Sequence, residues 1–317
     1  MRTSLIAAFM AATLLFAGCE GESGEAGGNS TAPKASKTAV QAVTDARAED
    51  FDFAYESTAP GFAEERNEQA VVDYSNVSEG YVMVQYLQET EHRVRAQVQM
   101  PTEKYTYDLR PGDWAALPLS DGDGEYRVSV YENIDGDRYA QVLSCGFTVE
   151  LANEFLPFLR PNQFVDYCMA PNAVATAELL TSESTDMLEK VASVYNFVVN
   201  WLSYDKEQAA TVQSGYVPVI DDVLARRQGI CFDYAALMTG MLRSSGIPCK
   251  LVVGYAGTVY HAWISVWVEG EGWIDNIIHF NGTEWQMMDP TFASTAGKKD
   301  AAAYAGDGTN YSPKFCY

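Results

Sequence analysis

Gln228-Gly229-Ile230-Cys231-Phe232-Asp233-Tyr234-Ala235-Ala236-Leu237 is the stretch on which the fold turns. From Cys231 onward the residues read as an apolar helix through Leu242, halted near Gly246 and Pro248. Gly229 permits a tight approach just before the helix begins. Cys231 therefore falls at a helix N-terminus. There the unpaired backbone N–H groups and the helix dipole favour a thiolate over a thiol. The same N–H groups can receive a developing oxyanion.

Two later segments carry the partners that such a thiol needs. In Val259-Tyr260-His261-Ala262-Trp263-Ile264 the alternation reads as a strand. His261, Trp263, Ser265 and Trp267 share one face, and Ala262, Ile264, Val266 and Val268 share the other. An imidazole beside the thiol can take its proton and later deliver it to a leaving group. In Trp285-Gln286-Met287-Met288-Asp289-Pro290-Thr291, Asp289 closes a third short strand and can orient the imidazole. Taken singly, each residue has a plainer explanation: a structural cysteine, a packed histidine and an Asp-Pro turn.

Together the segments resemble the transglutaminase-like superfamily core: Gly-x-Cys-x-Asp-Tyr-Ala on a helix, His-Ala-Trp on a strand, then Trp-x-x-x-Asp-Pro-Thr. Tyr204-Asp205-Lys206, Gly246-Ile247-Pro248 and Val253-Gly254-Tyr255 also fit. The resemblance spans roughly residues 175 to 296. It implies an α+β fold with a papain-like core, in which a helix bearing the nucleophile packs on an antiparallel sheet. It makes Cys231 the nucleophile, His261 the base and acid, and Asp289 the orienting carboxylate. The implied chemistry is acyl transfer through a thioester, from a glutamine side chain or a peptide bond, to a lysine amine or to water. The resemblance demands no calcium and implies no cofactor or metal. Asp275 follows Trp273 too closely to replace Asp289 in the motif, and His279 reads as a surface or packing residue. Gln213, Tyr216, Gln228 and Trp263 are the candidates for a second oxyanion donor or a substrate contact.

The chain has 317 residues, 47% hydrophobic and 12% aromatic, enough for a sizeable core. Its 21 basic and 43 acidic side chains leave a formal charge of −22. That charge argues against binding nucleic acid or anionic lipid by electrostatics. Met1 to Gly18 has one positive charge, an apolar run and small residues at its end, the pattern of an export signal. Cys19 after Ala17-Gly18 resembles a bacterial lipobox, which implies cleavage before Cys19, lipidation there and a bilayer anchor on the outer face of a membrane. Residues 19–50 then read as a disordered tether.

From about 70 to 151 the period is two, clearest in Arg93 to Met100, Gly80 to Leu87 and Glu125 to Glu132, with Asp135-Gly136 turning into Arg138 to Leu151. A small β-sandwich over 51–155 is expected, the immunoglobulin arrangement being one form of it. Asp121-Gly-Asp123-Gly-Glu125 reads as a solvated hairpin turn; Tyr126 stands where a calcium loop needs glycine. A connector over 156–175 leads to the catalytic domain, 176–317. Thr185 is the expected N-cap of a helix whose stripe is Leu188, Val191, Tyr195, Val198 and Leu202.

Export permits disulfides, and Cys145, Cys168, Cys249 and Cys316 allow three pairings. No Cys-x-x-Cys occurs, so zinc is not expected. The expected partner is a protein or peptide substrate, cell-envelope protein included. The competing reading is a cell-surface binding lipoprotein that keeps the fold without turnover.

Overall fold

Alternating side chains in the first half become two stacked sheets. The computed structural model describes residues 41–101, 103–275, 279–280, 285–286 and 311–317. Cys19 and Asp289 lie outside the described residues. Eight strands fill the N-terminal half: β1 (Glu64–Arg66), β2 (Ala70–Asp73), β3 (Tyr81–Tyr86), β4 (Val94–Gln99), β5 (Lys104–Leu109), β6 (Trp114–Pro118), β7 (Gly124–Asp135) and β8 (Arg138–Val149). They form two four-stranded antiparallel sheets, ordered β1-β2-β3-β6 and β5-β4-β7-β8. With edge strand β1 set aside, this is the order of strands A-B-E and C′-C-F-G in an immunoglobulin sandwich. Val94, Ala96 and Val98 are buried while Arg95, Gln97 and Gln99 are not, which is the face assignment that the alternation predicts. Tyr74 stacks on Phe147 at 5.3 Å, joining the two layers.

The acidic segment Asp121–Glu125 is not a hairpin turn. It carries the chain from β6 in one sheet to β7 in the other. Asp121 is partly buried and accepts the Tyr105 hydroxyl at 2.8 Å, while Asp123 and Glu125 stay exposed and accept the Leu151 N–H at 2.8 Å and the Thr148 hydroxyl at 2.6 Å.

Pro157 and Arg160 in the connector seat it on the sandwich. Gly80 has φ +81°, and a Cβ there would lie 2.7 Å from Pro157. Arg160 is buried, donates to the Glu79 carbonyl at 2.8 Å and pairs with the Glu79 carboxylate. The helical part starts earlier than expected, because α1 (Pro171–Thr181) opens with proline at N1. In α2 (Met187–Trp201) the cap is Asp186, not Thr185: its carboxylate accepts from the N–H of Leu188 at 2.8 Å and of Glu189 at 3.2 Å. Two short helices follow, α3 (Lys206–Thr211) and α4 (Ile220–Arg226), then α5 (Cys231–Ser244).

Helix α5 is the centre of this half. Every residue from Asp233 to Arg243 is buried. Helices α1, α2 and α4 pack on it from one side, and an antiparallel sheet covers the other. Before that sheet come β9 (Ser203–Tyr204) and β10 (Gln228–Gly229), a parallel pair. The sheet itself is built from β11 (Cys249–Ala256), β12 (Val259–Val268), β13 (Gly272–Ile274) and β16 (Tyr311–Cys316), ordered β13-β12-β11-β16. A separate pair joins β14 (His279–Phe280) to β15 (Trp285–Gln286), with His279 opposite Gln286. The buried residues of sandwich, helices and sheet form one continuous core. Among the described residues no helix is long and apolar enough to cross a membrane. Cys145, Cys168, Cys231, Cys249 and Cys316 are all free thiols, so none of the disulfide pairings considered forms.

Candidate active site

The turn that enters α5 is clamped from several directions, and each clamp is local. Arg227 ends α4 in the left-handed region, with φ +56°, and its guanidinium lies 3.8 Å above the Trp201 ring. The indole N–H of Trp201 donates to the Leu224 carbonyl at 2.8 Å. The backbone of β10 then zips to β9: Ser203 N–H donates to Arg227 O and Asp205 N–H to Gly229 O, both at 2.9 Å. Asp205 goes on to cap α3 by accepting the Gln208 N–H at 2.8 Å.

Asp233 completes the clamp from inside the helix. It is wholly buried, and its Oδ2 accepts the Ile230 N–H at 2.8 Å. This is the N3 carboxylate reaching back to the cap residue. Oδ1 accepts the Tyr216 hydroxyl at 2.5 Å, and Gln208 donates to Oδ2 at 3.2 Å. Burial pushes the Asp233 carboxyl above the usual carboxylate range; the hydrogen bonds from Tyr216 and Ile230 and the charge of Arg226 only partly offset it. The carboxylate packs so tightly on the turn that a Cβ on Gly229 would lie 2.5 Å from Asp233 Cβ. Gly229→Ala must therefore push Asp233 off the Ile230 N–H, at a cost of about 2–3 kcal/mol. Chemical denaturation should show a lowered midpoint at unchanged slope; a midpoint equal to wild type would contradict the clamp.

Cys231 is the product of this geometry. It is half-buried, unbridged and the first residue of a 14-residue helix, where the first-turn N–H groups have no intrahelical acceptors. The other described thiols sit differently. Burial pushes Cys145 and Cys316 up to about 11, and Cys168 and Cys249 up to about 12.

His261 lies on β12, which packs directly against α5. It is 5% exposed and pairs in register with Gly254 on β11. Its ring lies 6.3 Å from Trp263 and 6.4 Å from Tyr311. Gly254 is required for this packing, since a Cβ there would meet Ser312 O at 2.2 Å and the Trp263 ring at 2.8 Å. Asp289 lies outside the described residues, while Asp275 is exposed just beyond β13.

The four further candidates are placed as follows. The Tyr216 hydroxyl is engaged by Asp233, which makes it a support for the turn and not a free oxyanion donor. Gln213 is exposed and its amide donates to Thr211 O at 2.8 Å, within its own loop. Gln228 is exposed on β10. Trp263 is 2% exposed and packs edge-on against Tyr311 at 5.0 Å, so its ring is core. Sequence reasoning missed Gln208 and the clamping role of Asp233. The Gly-x-Cys-x-Asp spacing, with an acid at N3, is the signal that could have revealed the latter.

Residues 174–276 match the family described as the transglutaminase-like superfamily. That segment is similar to the core of this superfamily. It holds α5, β11, β12 and β13, and with them both Cys231 and His261. A protein-glutamine gamma-glutamyltransferase of Pseudomonas aeruginosa is 30% identical over 120 residues, which is 33% of this chain and 17% of the relative. The Bacillus subtilis protein YebA is 26% identical over 124 residues, again 33% of this chain and 17% of the relative. The chain spans less than half the length of the curated relatives that it matches. Among solved structures, the periplasmic domain of TgpA from Pseudomonas aeruginosa aligns at 19% identity and a TM-score of 0.33, over 72% of this chain and 97% of that one.

Proposed function

We propose that the protein is a cysteine acyltransferase or amide hydrolase of the transglutaminase type, tethered outside a membrane through Cys19. The sulfur of Cys231 attacks the carbonyl carbon of a glutamine carboxamide or a peptide bond. The first-turn N–H groups of α5 receive the oxyanion. The C–N bond then breaks, and ammonia or an amine leaves with the proton that His261 took from the thiol. The resulting thioester is attacked by a second acceptor, which passes its proton back through His261 and frees the sulfur. With a lysine amine the product is an isopeptide crosslink. With water it is a carboxylic acid. Asp289 is the group proposed to hold the imidazole.

The observation that carries this reading is Cys231 itself: an unbridged, half-buried thiol at the first position of α5, on a helix packed against the strand that bears His261. The test incubates the protein with a glutamine-containing peptide in two arms, one quenched in acid, digested and weighed without hydroxylamine, the other containing hydroxylamine. The reading expects the peptide's acyl group on the Cys231 fragment and a hydroxamate product. Neither should form with Cys231→Ala. Failure of wild type to form an adduct with glutamine or simple peptide donors, together with no hydroxamate, would contradict it. The ratio of hydroxamate to free acid separates transfer from hydrolysis.

A further inference from the structure

The β-sandwich reaches the start of α5 by two routes: Tyr107 stacks on Phe164, whose ring meets Phe232 at 5.5 Å, and the loop between α3 and α4 lies on the sandwich itself. Between α3 and α4 the chain passes Gly215 and Tyr216. Gly215 has φ +92°, and a Cβ there would lie 2.6 Å from Arg93 Nη2 and 2.8 Å from Asp108 Oδ2. Those two atoms belong to an ion pair between Arg93, just before β4, and Asp108 on the neighbouring β5. Arg93 donates to both carboxylate oxygens of Asp108, at 2.7 and 2.5 Å, and Arg95 adds a third bond at 3.2 Å. Gln163 of the connector donates to the Asp108 carbonyl. Burial alone would raise the Asp108 carboxyl, but the two guanidinium groups outweigh it and hold the carboxyl below its usual range. The pair is thus a fixed, charged platform on which the loop backbone lies.

On the far side of the same loop, Tyr216 donates to Asp233, and Asp233 holds the Ile230 N–H one residue before Cys231. The Tyr216 ring also meets Phe232 edge-on at 6.5 Å. We propose that Tyr216 and Asp233 are positioning residues for Cys231, and that the β-sandwich serves catalysis by seating the Tyr216 loop on its Arg93–Asp108 pair. This rests on the reading of Cys231 as the nucleophile. It gives the sandwich a part in the reaction without placing any of its atoms in the site. Only a glycine lets the loop backbone lie on the ion pair, and only a hydroxyl at position 216 reaches from that seat to the carboxylate. The groups that face Asp233 are Tyr216 from the loop, Gln208 from α3, Arg226 from α4 and the Ile230 N–H. None of them belongs to the sandwich, so the sandwich reaches Asp233 through Tyr216.

The test uses the full chain and iodoacetamide, with the Cys231 fragment followed by mass spectrometry at pH 6.5. Tyr216→Phe is expected to slow alkylation of Cys231 about tenfold, because a turn freed to shift no longer fixes Cys231 at the first turn of α5. Gly215→Ala should slow it about threefold, although residue 215 touches only the sandwich. Asp233→Ala should match or exceed Tyr216→Phe. Asp233→Asn should return to within about threefold of wild type, since an amide can still accept from Ile230 and donate to Tyr216. A role in stability alone would lower the melting temperature without restoring the rate in the asparagine variant. Wild-type rates in both Tyr216→Phe and Gly215→Ala would overturn the proposal, as would Asp233→Asn as slow as Asp233→Ala. If Asp233→Ala does not fold, the Tyr216 and Gly215 variants decide, since Gly215 is exposed and Tyr216 is only partly buried. A wild-type Cys231 no faster than Cys168 would instead overturn the nucleophile on which the proposal rests.

Discussion

Cys231→Ala is expected to abolish turnover, by roughly 10⁴-fold or more, while the protein keeps its fold. The two halves of that expectation have separate causes. The proposed thioester needs one sulfur atom, and burial raises the other described thiols well above the usual thiol range. None of them stands at the start of α5. The fold, in contrast, asks little of the sulfur. Cys231 is half-buried, it makes no disulfide, and alanine is at least as good a helix former. Truncation should cost no more than about 1 kcal/mol, visible as a melting temperature within a few degrees of wild type. The measurement is product formation beside thermal unfolding of the same sample. Retained turnover in Cys231→Ala would move the chemistry elsewhere.

Arg243→Ala should have the largest effect on stability. Arg243 lies at the end of α5, 1% exposed, and its guanidinium ties three parts of the chain together. Nε donates to Cys249 O at 2.9 Å, Nη1 to Arg160 O at 2.7 Å and Nη2 to Tyr317 O at 2.6 Å. The connector, strand β11 and the segment after β16 all meet on this side chain. Burial pulls its guanidinium down to about 10, so the charge is held there at a desolvation cost that the three carbonyls offset. Removing it leaves buried carbonyls short of a donor and opens a cavity, together about 4 kcal/mol. For a chain of this size the melting temperature should fall by roughly 10 °C. Arg243→Lys, which can reach one or two of the carbonyls, should fall between alanine and wild type. A shift of a degree or less in the alanine variant would contradict this account of the junction.

The elements that proved legible in the sequence are those specified locally. Helix α5 reads correctly because its apolar run and its stop at Gly246 are contiguous. Strand β12 reads correctly because its β-branched and aromatic residues are contiguous, although both of its faces are buried from His261 to Val266. The misread features depend on partners that are distant in sequence or on a choice between adjacent residues. Thr185 and Asp186 are both good caps, and the backbone at Asp186 is the one that presents its carboxylate to two N–H groups. Asp121–Glu125 has the composition of a hairpin turn, yet the register of β6 with β3 and of β7 with β4 makes it a crossing between sheets. Strand β16 contains Pro313, which argues against a strand read from sequence. It is tolerated because β16 is an edge and the pairing with β11 shifts between Val253 and Gly254. The Tyr216–Asp233 bond spans 17 residues and the seat of Gly215 on Arg93 and Asp108 spans more than 100, so no local pattern announces either.

The start of α5 should make one thiol far more reactive than its neighbours. Competitive alkylation of the folded wild-type chain by a limiting amount of iodoacetamide below neutral pH, read cysteine by cysteine, tests it most directly. The account predicts that Cys231 is modified at least about tenfold faster than Cys145, Cys168, Cys249 and Cys316, and that unfolding in denaturant erases the difference. Equal rates in the folded protein, or a faster reaction at any of the other four, would contradict it.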